Sequence, residues 1–401
     1  MTKRIIRLLL LSVILFTFSC CNQTQEPDDN LHLTVAWNIY SENYGNERLA
    51  LDSEKGQVYV NERGSRTIAA INIESGKLIW RTDEIITSHT NVVFDEKYIY
   101  SIGLNFPDKN TTNVDFIQLD KETGNEIKRK TLSNSWYSLP RMNSLSLYNG
   151  TLYWGGKDRH FMYAYSTTEE DGVRKIWGSE DVTSDIMGDI VPYNGRLYFV
   201  SSVFPYTDEP KPSYLISMNP DGSDIKKLKI SADFLYVPRN RMQFYKDKLY
   251  LNGMYLICVN PKTMKIEWEL RNSDGFFTAP EGFVINCNRI YAPDNGGDED
   301  AFFCINAKNG KVVWKERINT SFYGSIFYSP VVYGGYVYQP AQDCMIVFNA
   351  ENGKYAGRDE RIRTGTLAVG ITECYKNFMI FSGIHKDELT VYALKMDMHT
   401  R

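Results

Sequence analysis

One short unit is repeated around the whole sequence. The segment AINIESGKLIW, which ends at Trp80, is echoed by CINAKNGKVVW, which ends at Trp314, and weaker copies lie between and beyond them. Successive copies are about 40 to 50 residues apart, a period typical of the four-stranded blades of a β-propeller. The repeat therefore limits the possible folds before any single residue is interpreted.

Each copy reads as a small antiparallel sheet. A middle strand carries an aromatic residue, and the aromatic positions are Tyr59, Tyr100, Tyr153, Tyr198, Tyr250, Tyr291 and Tyr338, with Met379 in a degenerate copy. A second apolar strand runs into a turn such as NIESGK or NAKNGK, where Asn and Gly favour left-handed backbone. The outer strand that follows carries a marker residue, and the predicted markers are Trp80, Lys128, Trp177, Lys226, Trp268, Trp314 and Gly357.

The two ends of the chain complement each other. The last copy stops after ELTVYALKMD, without its outer strand, whereas LTVAWNIY around Trp37 is an outer strand with no blade before it. Joining them removes two exposed sheet edges. The sequence therefore predicts an all-β fold over residues 31–401, an eight-bladed propeller of four-stranded antiparallel blades closed by the N-terminal strand. Because the copy at Met379 is poor, seven blades is the alternative.

The N-terminus has the features of an export signal. Basic residues precede an apolar run from Leu8 to Phe18, which is too short to cross a bilayer comfortably and is typical of a secretory signal. We assign residues 1–19 to this signal. The cysteine that follows resembles the bacterial lipoprotein processing site, which implies a lipid on Cys20, with Cys21 as the alternative. Residues 20–30 then form the lipidated cysteine and a polar tether.

Composition and motifs indicate no chemistry. A formal net charge of -4 gives no basic face for nucleic acid. The sequence has no nucleophile-elbow, phosphate-loop or zinc-protease motif and no cysteine pair at metal-ligand spacing. We interpret the acidic stretch 293–300 as a solvated loop, with a calcium site as the alternative. We interpret Cys258 and Cys304 as buried free thiols, although an exported compartment would permit disulfides. We therefore expect a non-enzymatic, monomeric propeller with no metal and no cofactor.

The Asn or Asp start, Gly turn, apolar strand and terminal Trp resemble the repeat of the pyrroloquinoline-quinone-type propellers. One branch of that family, the quinone-dependent alcohol and sugar dehydrogenases, implies a calcium-bound quinone, an Asp base and often a vicinal disulfide. The one vicinal pair in this sequence, Cys20 and Cys21, lies in the signal region. The other branch, the propeller lipoproteins of the bacterial outer-membrane barrel-assembly machinery, implies a lipid anchor and a scaffold that holds a protein partner.

We expect partner binding in the loops that run from the outer strand of one blade to the innermost strand of the next, because these ring the mouth of the channel. The candidate residues are Arg141, Asp185, Asp189, Arg239, Arg241 and Tyr328, and the aromatic insertion adds Phe204 and Tyr206. The guanidinium groups of Arg141 and Arg239 fit the carboxylates of a partner or those of Asp185 and Asp189.

The sequence therefore predicts a non-catalytic lipoprotein of the bacterial envelope, at the outer membrane by default, which binds an envelope protein through its propeller loops. A carbohydrate-binding surface lipoprotein that stacks sugars on its exposed aromatic residues is the first alternative. A quinone-dependent dehydrogenase is the second.

Overall fold

The structure is a computed structural model of the chain. It describes residues 31–40, 48–62, 65–85, 92–107, 111–135, 139–140, 144–156, 160–169, 172–178, 184–203, 211–231, 242–253, 255–271, 282–294, 301–317, 329–341, 344–362, 372–385 and 388–397. The predicted signal, the lipidated cysteine and the tether, residues 1–30, lie outside these ranges.

Within these ranges, thirty-two strands form eight antiparallel sheets of four strands each, which we call blades. Blade 1 contains β2 (Arg48–Asp52), β3 (Gln57–Glu62), β4 (Thr67–Asn72) and β5 (Leu78–Arg81), and blade 2 contains β6 (Val93–Phe94), β7 (Tyr98–Asn105), β8 (Asn113–Asp120) and β9 (Glu126–Ser133). Blade 3 contains β10 (Ser146–Tyr148), β11 (Thr151–Gly155), β12 (Phe161–Ser166) and β13 (Arg174–Gly178). Blade 4 contains β14 (Ser184–Tyr193), β15 (Arg196–Val203), β16 (Tyr214–Met218) and β17 (Lys226–Lys229).

Blade 5 contains β18 (Met242–Tyr245), β19 (Lys248–Asn252), β20 (Leu256–Asn260) and β21 (Lys265–Leu270). Blade 6 contains β22 (Val284–Asn286), β23 (Arg289–Asp294), β24 (Ala301–Asn306) and β25 (Val312–Arg317), and blade 7 contains β26 (Val331–Tyr333), β27 (Tyr336–Pro340), β28 (Met345–Asn349) and β29 (Tyr355–Asp359). Blade 8 contains β30 (Glu373–Tyr375), β31 (Phe378–His385), β32 (Glu388–Lys395) and β1 (Thr34–Tyr40).

The ring is closed by the N-terminal strand, as predicted. Strand β1 pairs antiparallel with β32, and Trp37 lies opposite Ala393. Among the described residues the apolar core forms eight clusters, each of which joins two neighbouring blades, and one of them joins blade 8 to blade 1. The eight-bladed fold is therefore confirmed, and the seven-bladed alternative is wrong.

Tight hairpins connect the first and second strands of most blades. At Asn194 and Gly195 both central residues have positive φ angles, 47° and 77°, and Lys246 and Asp247 repeat this at 47° and 58°. Two positive φ angles define the turn whose twist matches that of paired strands. The Gly turns that the sequence analysis singles out, such as NAKNGK, lie instead between third and fourth strands, and there Gly310 also has a positive φ angle, 70°.

The strand register confirms most of the predicted marker positions. Ala70, opposite Tyr59, pairs with Trp80 across a β-bulge, and six other blades place their marker in the same register: Trp37, Lys128, Lys226, Trp268, Trp314 and Gly357. Blade 3 differs, because Arg174 lies opposite Ala164 while Trp177 pairs with Met162. The β-bulge of this blade lies earlier in β12, between Met162 and Tyr163, so Arg174 and not Trp177 occupies the marker register. The prediction of Trp177 as the marker of blade 3 is therefore wrong.

The connectivity gives the ring two distinct faces. The hairpins between first and second strands, and the turns between third and fourth strands, lie on one face, which we call the turn face. The loops between second and third strands, and the crossings from one blade to the next, lie on the opposite face, the loop face. Within the described residues, no helix has the length and apolar character needed to cross a membrane.

Candidate partner-binding surfaces

Docked tryptophans close the seams between blades on the turn face. Trp314 of blade 6 donates a hydrogen bond from Nε1 to the carbonyl of Ala350, 3.3 Å away in blade 7. Its ring lies against Gly353, where an added Cβ would sit 2.5 Å from the ring atom Cε3. Glycine is required there because it has no Cβ and because its φ is +77°. The same arrangement joins Trp37 to Gly76, Trp80 to Gly124 and Trp268 to Gly310.

We call this arrangement, a tryptophan on a glycine with its Nε1 bonded to a carbonyl of the next blade, a dock. The aromatic residue of the second strand contributes to the same dock. The Tyr250 hydroxyl and Trp268 Nε1 both donate to the carbonyl of Ala307, at 3.0 and 3.1 Å. Tyr291 donates in the same way to Ala350. Burial raises the pKa of both tyrosines, so their hydroxyls remain protonated donors. The repeated Tyr and Trp are thus structural, and they leave the turn face of these blades filled.

A buried ion pair reinforces the seam between blades 1 and 2. Lys121 Nζ lies 2.7 Å from Asp52 Oδ2 and also donates to the carbonyl of Asp95 at 2.8 Å. Burial alone would raise the pKa of Asp52, but its hydrogen bonds with Lys121, Lys55 and Tyr59 lower it below its ordinary value. Each charge of this pair is matched, so the pair stabilises the seam and offers no free group.

The seam between blades 4 and 5 departs from this pattern. Lys226 occupies the register of the docked tryptophan in blade 4, and Met264, with a φ of 50°, occupies the turn position that is glycine in blade 6. Met264 is buried in the core cluster of this seam. The missing tryptophan and the missing glycine therefore compensate for each other. The methionine in NPKTMK, where related turns have glycine, is the signal in the sequence that could have predicted this exchange.

On the loop face, blades 3 and 4 approach each other closely. Strand β14 is long for an innermost strand, with 10 residues, and its register shifts between Met187 and Val191. A Cβ at Gly155 of blade 3 would lie 2.8 Å from Ile186 of β14. Next to Gly155, Gly156 forms an isolated β-bridge with Pro140. The crossing from blade 2 to blade 3 therefore reaches the end of β11, next to the glycine that β14 approaches.

Few of the predicted partner-binding residues are described by the structure. Asp189 is half-buried in the bulged part of β14, and the backbone of Asp185 pairs with that of Ser202. The remaining candidates lie outside the described residues: Arg141, Arg239, Arg241, Tyr328, Phe204 and Tyr206. Their roles stay predictions, as does the lipid on Cys20.

Several acidic side chains near the ends of the blade strands are already paired within the chain. Glu62 accepts hydrogen bonds from Nε and Nη2 of Arg81, both at 2.9 Å, and from Thr67. Asp115 accepts from Asn105 and Thr131 at 2.7 and 2.8 Å. Sequence reasoning missed both groups because their partners come from different strands. Arg129 Nη1 also lies 3.7 Å from Asp115, so each carboxylate has a cation beside it and is already engaged within its own blade.

Another buried acid, Asp359, holds the approach to the closing strand. One of its oxygens accepts from the N–H of Leu33 at 2.8 Å and from Nη2 of Arg361 at 2.6 Å. Arg361 also donates to the carbonyl of Leu33, and Leu31 N–H donates to the carbonyl of Arg358. Although burial would raise the pKa of Asp359, the hydrogen bonds from Arg361 and Leu33 lower it. We call Asp359, Arg361 and Leu33 the clasp.

The thiols and acidic side chains of the described residues form no recognisable centre. Cys258 and Cys304 are buried and unbonded, and burial raises the pKa of each to about 11, so both thiols are protonated at neutral pH. Among the described residues, no three His, Cys, Asp or Glu side chains converge to hold a metal ion. Of the acidic stretch, Pro293 and Asp294 belong to β23, and residues 295–300 lie outside the described ranges.

Comparison with known proteins agrees with this geometry. A family model described as outer membrane protein assembly factor BamB matches residues 257–372. The match begins in β20 and covers blades 6 and 7, whose turns carry Gly310 and Gly353, the glycines on which Trp268 and Trp314 dock. The chain is an eight-bladed propeller whose residues 257–372 are similar to the pyrroloquinoline-quinone-like repeat of BamB. No curated protein sequence matches the chain significantly.

Solved structures of this propeller type are similar over most of the chain. Quinohemoprotein alcohol dehydrogenase from Comamonas testosteroni superposes with a TM-score of 0.65 at 11% identity, covering 92% of this chain and 77% of that one. For quinohemoprotein alcohol dehydrogenase ADHIIG from Pseudomonas putida HK5 the TM-score is 0.64 at 11% identity, with coverages of 94% and 78%. BamB from Moraxella catarrhalis has a TM-score of 0.42 at 12% identity, covering 91% of this chain and 100% of that one. At such identities the two dehydrogenases share the fold alone.

Proposed function

We propose that the chain is a non-catalytic protein of the bacterial envelope whose propeller holds a protein partner through the loop face. The observation that carries this proposal is the match of residues 257–372 to the model of an outer-membrane assembly factor. The partner would accordingly belong to an assembly machinery at the outer membrane. The anchor would be a lipid on Cys20, joined to the ring by the tether.

The described contacts support a rigid scaffold. Every seam has its own apolar cluster, and docked tryptophans close four of the eight seams on the turn face, so the blades are expected to move little against each other. A partner that binds a preorganised platform loses less free energy to ordering than one that binds a flexible surface. The clasp also fixes the start of the ring against blade 7, because Leu33 donates to Asp359 of that blade.

Site-specific photo-cross-linking in the native envelope tests this proposal. A photoreactive phenylalanine analogue replaces Phe106, which is 49% exposed just beyond β7 on the loop face, and in a matched variant replaces Ile127, which is 54% exposed on outer strand β9. We expect a discrete cross-linked protein from position 106 and none from position 127. Equal cross-linking at both positions, or none at either, would contradict binding through the loop face.

The charged candidates allow a second test of the same surface. Changing Arg141 and Arg239 to Glu should abolish the cross-link at position 106, because the guanidinium groups are proposed to pair with carboxylates of the partner. An unchanged cross-link would remove these residues from the proposal while leaving the loop face in it.

The non-catalytic part of the proposal needs a separate measurement. The chain shares its fold with quinohemoprotein dehydrogenases. Among the described residues, however, no cluster of His, Cys, Asp or Glu side chains could hold a metal ion. The full chain, incubated with pyrroloquinoline quinone and Ca²⁺, is expected to reduce no electron-accepting dye when alcohols or sugars are added. Dye reduction that depends on the quinone would refute this part.

A further inference from the structure

A small pocket lies on the turn face where blade 4 lacks its docked tryptophan. Its volume is about 260 Å³, and its lining includes Tyr198, Lys226, Pro261 and Lys262. Lys226 stands in the tryptophan register, and Pro261 stands in the turn where Ala307 provides the acceptor carbonyl of the next dock. Met264 fills the deep end of the seam. The pocket is therefore the outer part of a tryptophan dock, left open.

The positive charge of this pocket is incompletely compensated. Arg196 holds Asp224 through Nη1 at 2.6 Å, whereas Lys226 reaches the same carboxylate at 3.9 Å. Lys262 is exposed and has no ion-pair partner among the described residues. The other acid of the lining, Asp247, accepts a hydrogen bond from Tyr193. The ammonium groups of Lys226 and Lys262 are thus available to a further anion.

The size of the pocket and its position at a strand edge indicate what kind of anion fits. Ligand pockets for cofactors and drug-sized molecules are typically about 300–1,000 Å³, so this one suits a single side chain better. It adjoins β17, the last strand of its sheet, which has the sequence KKLK and exposes Lys227 and Lys229. An extended segment can add to such an edge by backbone hydrogen bonds, with alternate side chains entering pockets.

We propose that this pocket, with the edge of β17, binds an acidic segment of a protein, with one carboxylate held between Lys226 and Lys262. The aromatic wall of Tyr193 and Tyr198 contacts the methylene groups of the acidic side chain. Because the pocket lies on the turn face, this site is separate from the loop face of the proposed function, and each can fail without the other.

The test uses the full purified chain and a fluorescein-labelled hexaglutamate peptide, with hexaglutamine as the uncharged probe, measured by fluorescence anisotropy at low salt. The variant Lys226→Glu with Lys262→Glu should weaken binding of hexaglutamate about tenfold, since two ion pairs are replaced by repulsion. The matched control is Lys308→Glu, because Lys308 has the position of Lys262 in a turn that receives a docked tryptophan. That variant should bind within about twofold of the unmodified chain.

A second variant fills the pocket. Lys226→Trp combined with Met264→Gly restores the residue pair of the complete docks and should abolish binding, with folding checked by near-ultraviolet circular dichroism. The proposal is overturned if the charge-reversed chain binds hexaglutamate as well as the Lys308→Glu chain does. It is also overturned if hexaglutamine binds as tightly as hexaglutamate, or if the folded, filled variant keeps its affinity.

Discussion

The tryptophan dock predicts a large difference between two glycine substitutions with the same backbone geometry. Gly353 and Gly195 both have a φ of +77°, but a Cβ at Gly353 would meet Trp314 at 2.5 Å, whereas a Cβ at Gly195 has nothing within 4 Å. Alanine in left-handed backbone costs about 1–2 kcal/mol, partly offset by the lower entropy of its unfolded chain. We therefore expect Gly195→Ala to lower the free energy of unfolding by about 1 kcal/mol.

Gly353→Ala carries an additional packing cost. The Trp314 ring must retreat by about 0.9 Å to restore an ordinary contact of 3.4 Å. That movement weakens the hydrogen bond to Ala350, worth about 0.5–1.5 kcal/mol, and the stacking on Phe302, worth a similar amount. The expected loss is about 3 kcal/mol, so the two variants should differ by about 2 kcal/mol.

Urea unfolding followed by far-ultraviolet circular dichroism measures this difference. A third arm repeats the Gly353→Ala change in a Trp314→Leu background, where the cost should fall to that of Gly195→Ala because the clashing ring is gone. If Gly353→Ala and Gly195→Ala lower the unfolding free energy equally in the wild-type background, the glycine is not required by the dock and the reasoning fails.

Two further predictions concern the clasp and the anchor. Asp359→Asn should lower the free energy of unfolding at neutral pH by about 1.5–3 kcal/mol, the worth of hydrogen bonds to a charged group. The pKa of Asp359 is lowered in the folded protein, so its carboxylate stabilises the fold above the unfolded pKa of 3.8, and this stabilisation is lost as the pH falls through the folded pKa. The unfolding free energies of the unmodified chain and of Asp359→Asn should therefore converge as the pH is lowered. A difference that widens in acid would contradict this. Cys20→Ser should abolish metabolic labelling by palmitate and release the protein from membranes. Cys21→Ser should keep both the labelling and the membrane association. The reverse pattern would identify Cys21 as the modified residue.

The sequence predicted the architecture well because a complete dock of tryptophan on glycine recurs at four of the eight seams. Tyrosine, glycine and tryptophan recur at fixed spacings since each fills a defined place in one dock, as Tyr250, Gly310 and Trp268 do. The failed marker, Trp177, shows the limit of spacing alone. A shifted bulge changes which residue faces the seam, and a bulge leaves little trace in composition.

The candidate sites were harder to predict for a physical reason. Partner-binding groups lie in loops, whose composition follows the partner rather than the repeat, so the repeat carries no information about them. The ion pairs that the structure adds, such as Glu62 with Arg81, join residues from different strands and need the register to be seen. The exchange of tryptophan for Lys226 was visible in the sequence, but its meaning depended on Met264 in the next blade.

The closure of the ring also determines the order in which the fold can be completed. Thr34 pairs with Lys395, so the first strand of the propeller is bound by one of its last residues. During synthesis, β1 has no partner until β32 has emerged, and contacts between such distant residues form slowly. Blades 1 to 7 can assemble from neighbours in the sequence, whereas blade 8 must wait for both ends. A chain truncated before β32 would therefore leave β1 unpaired and the ring open.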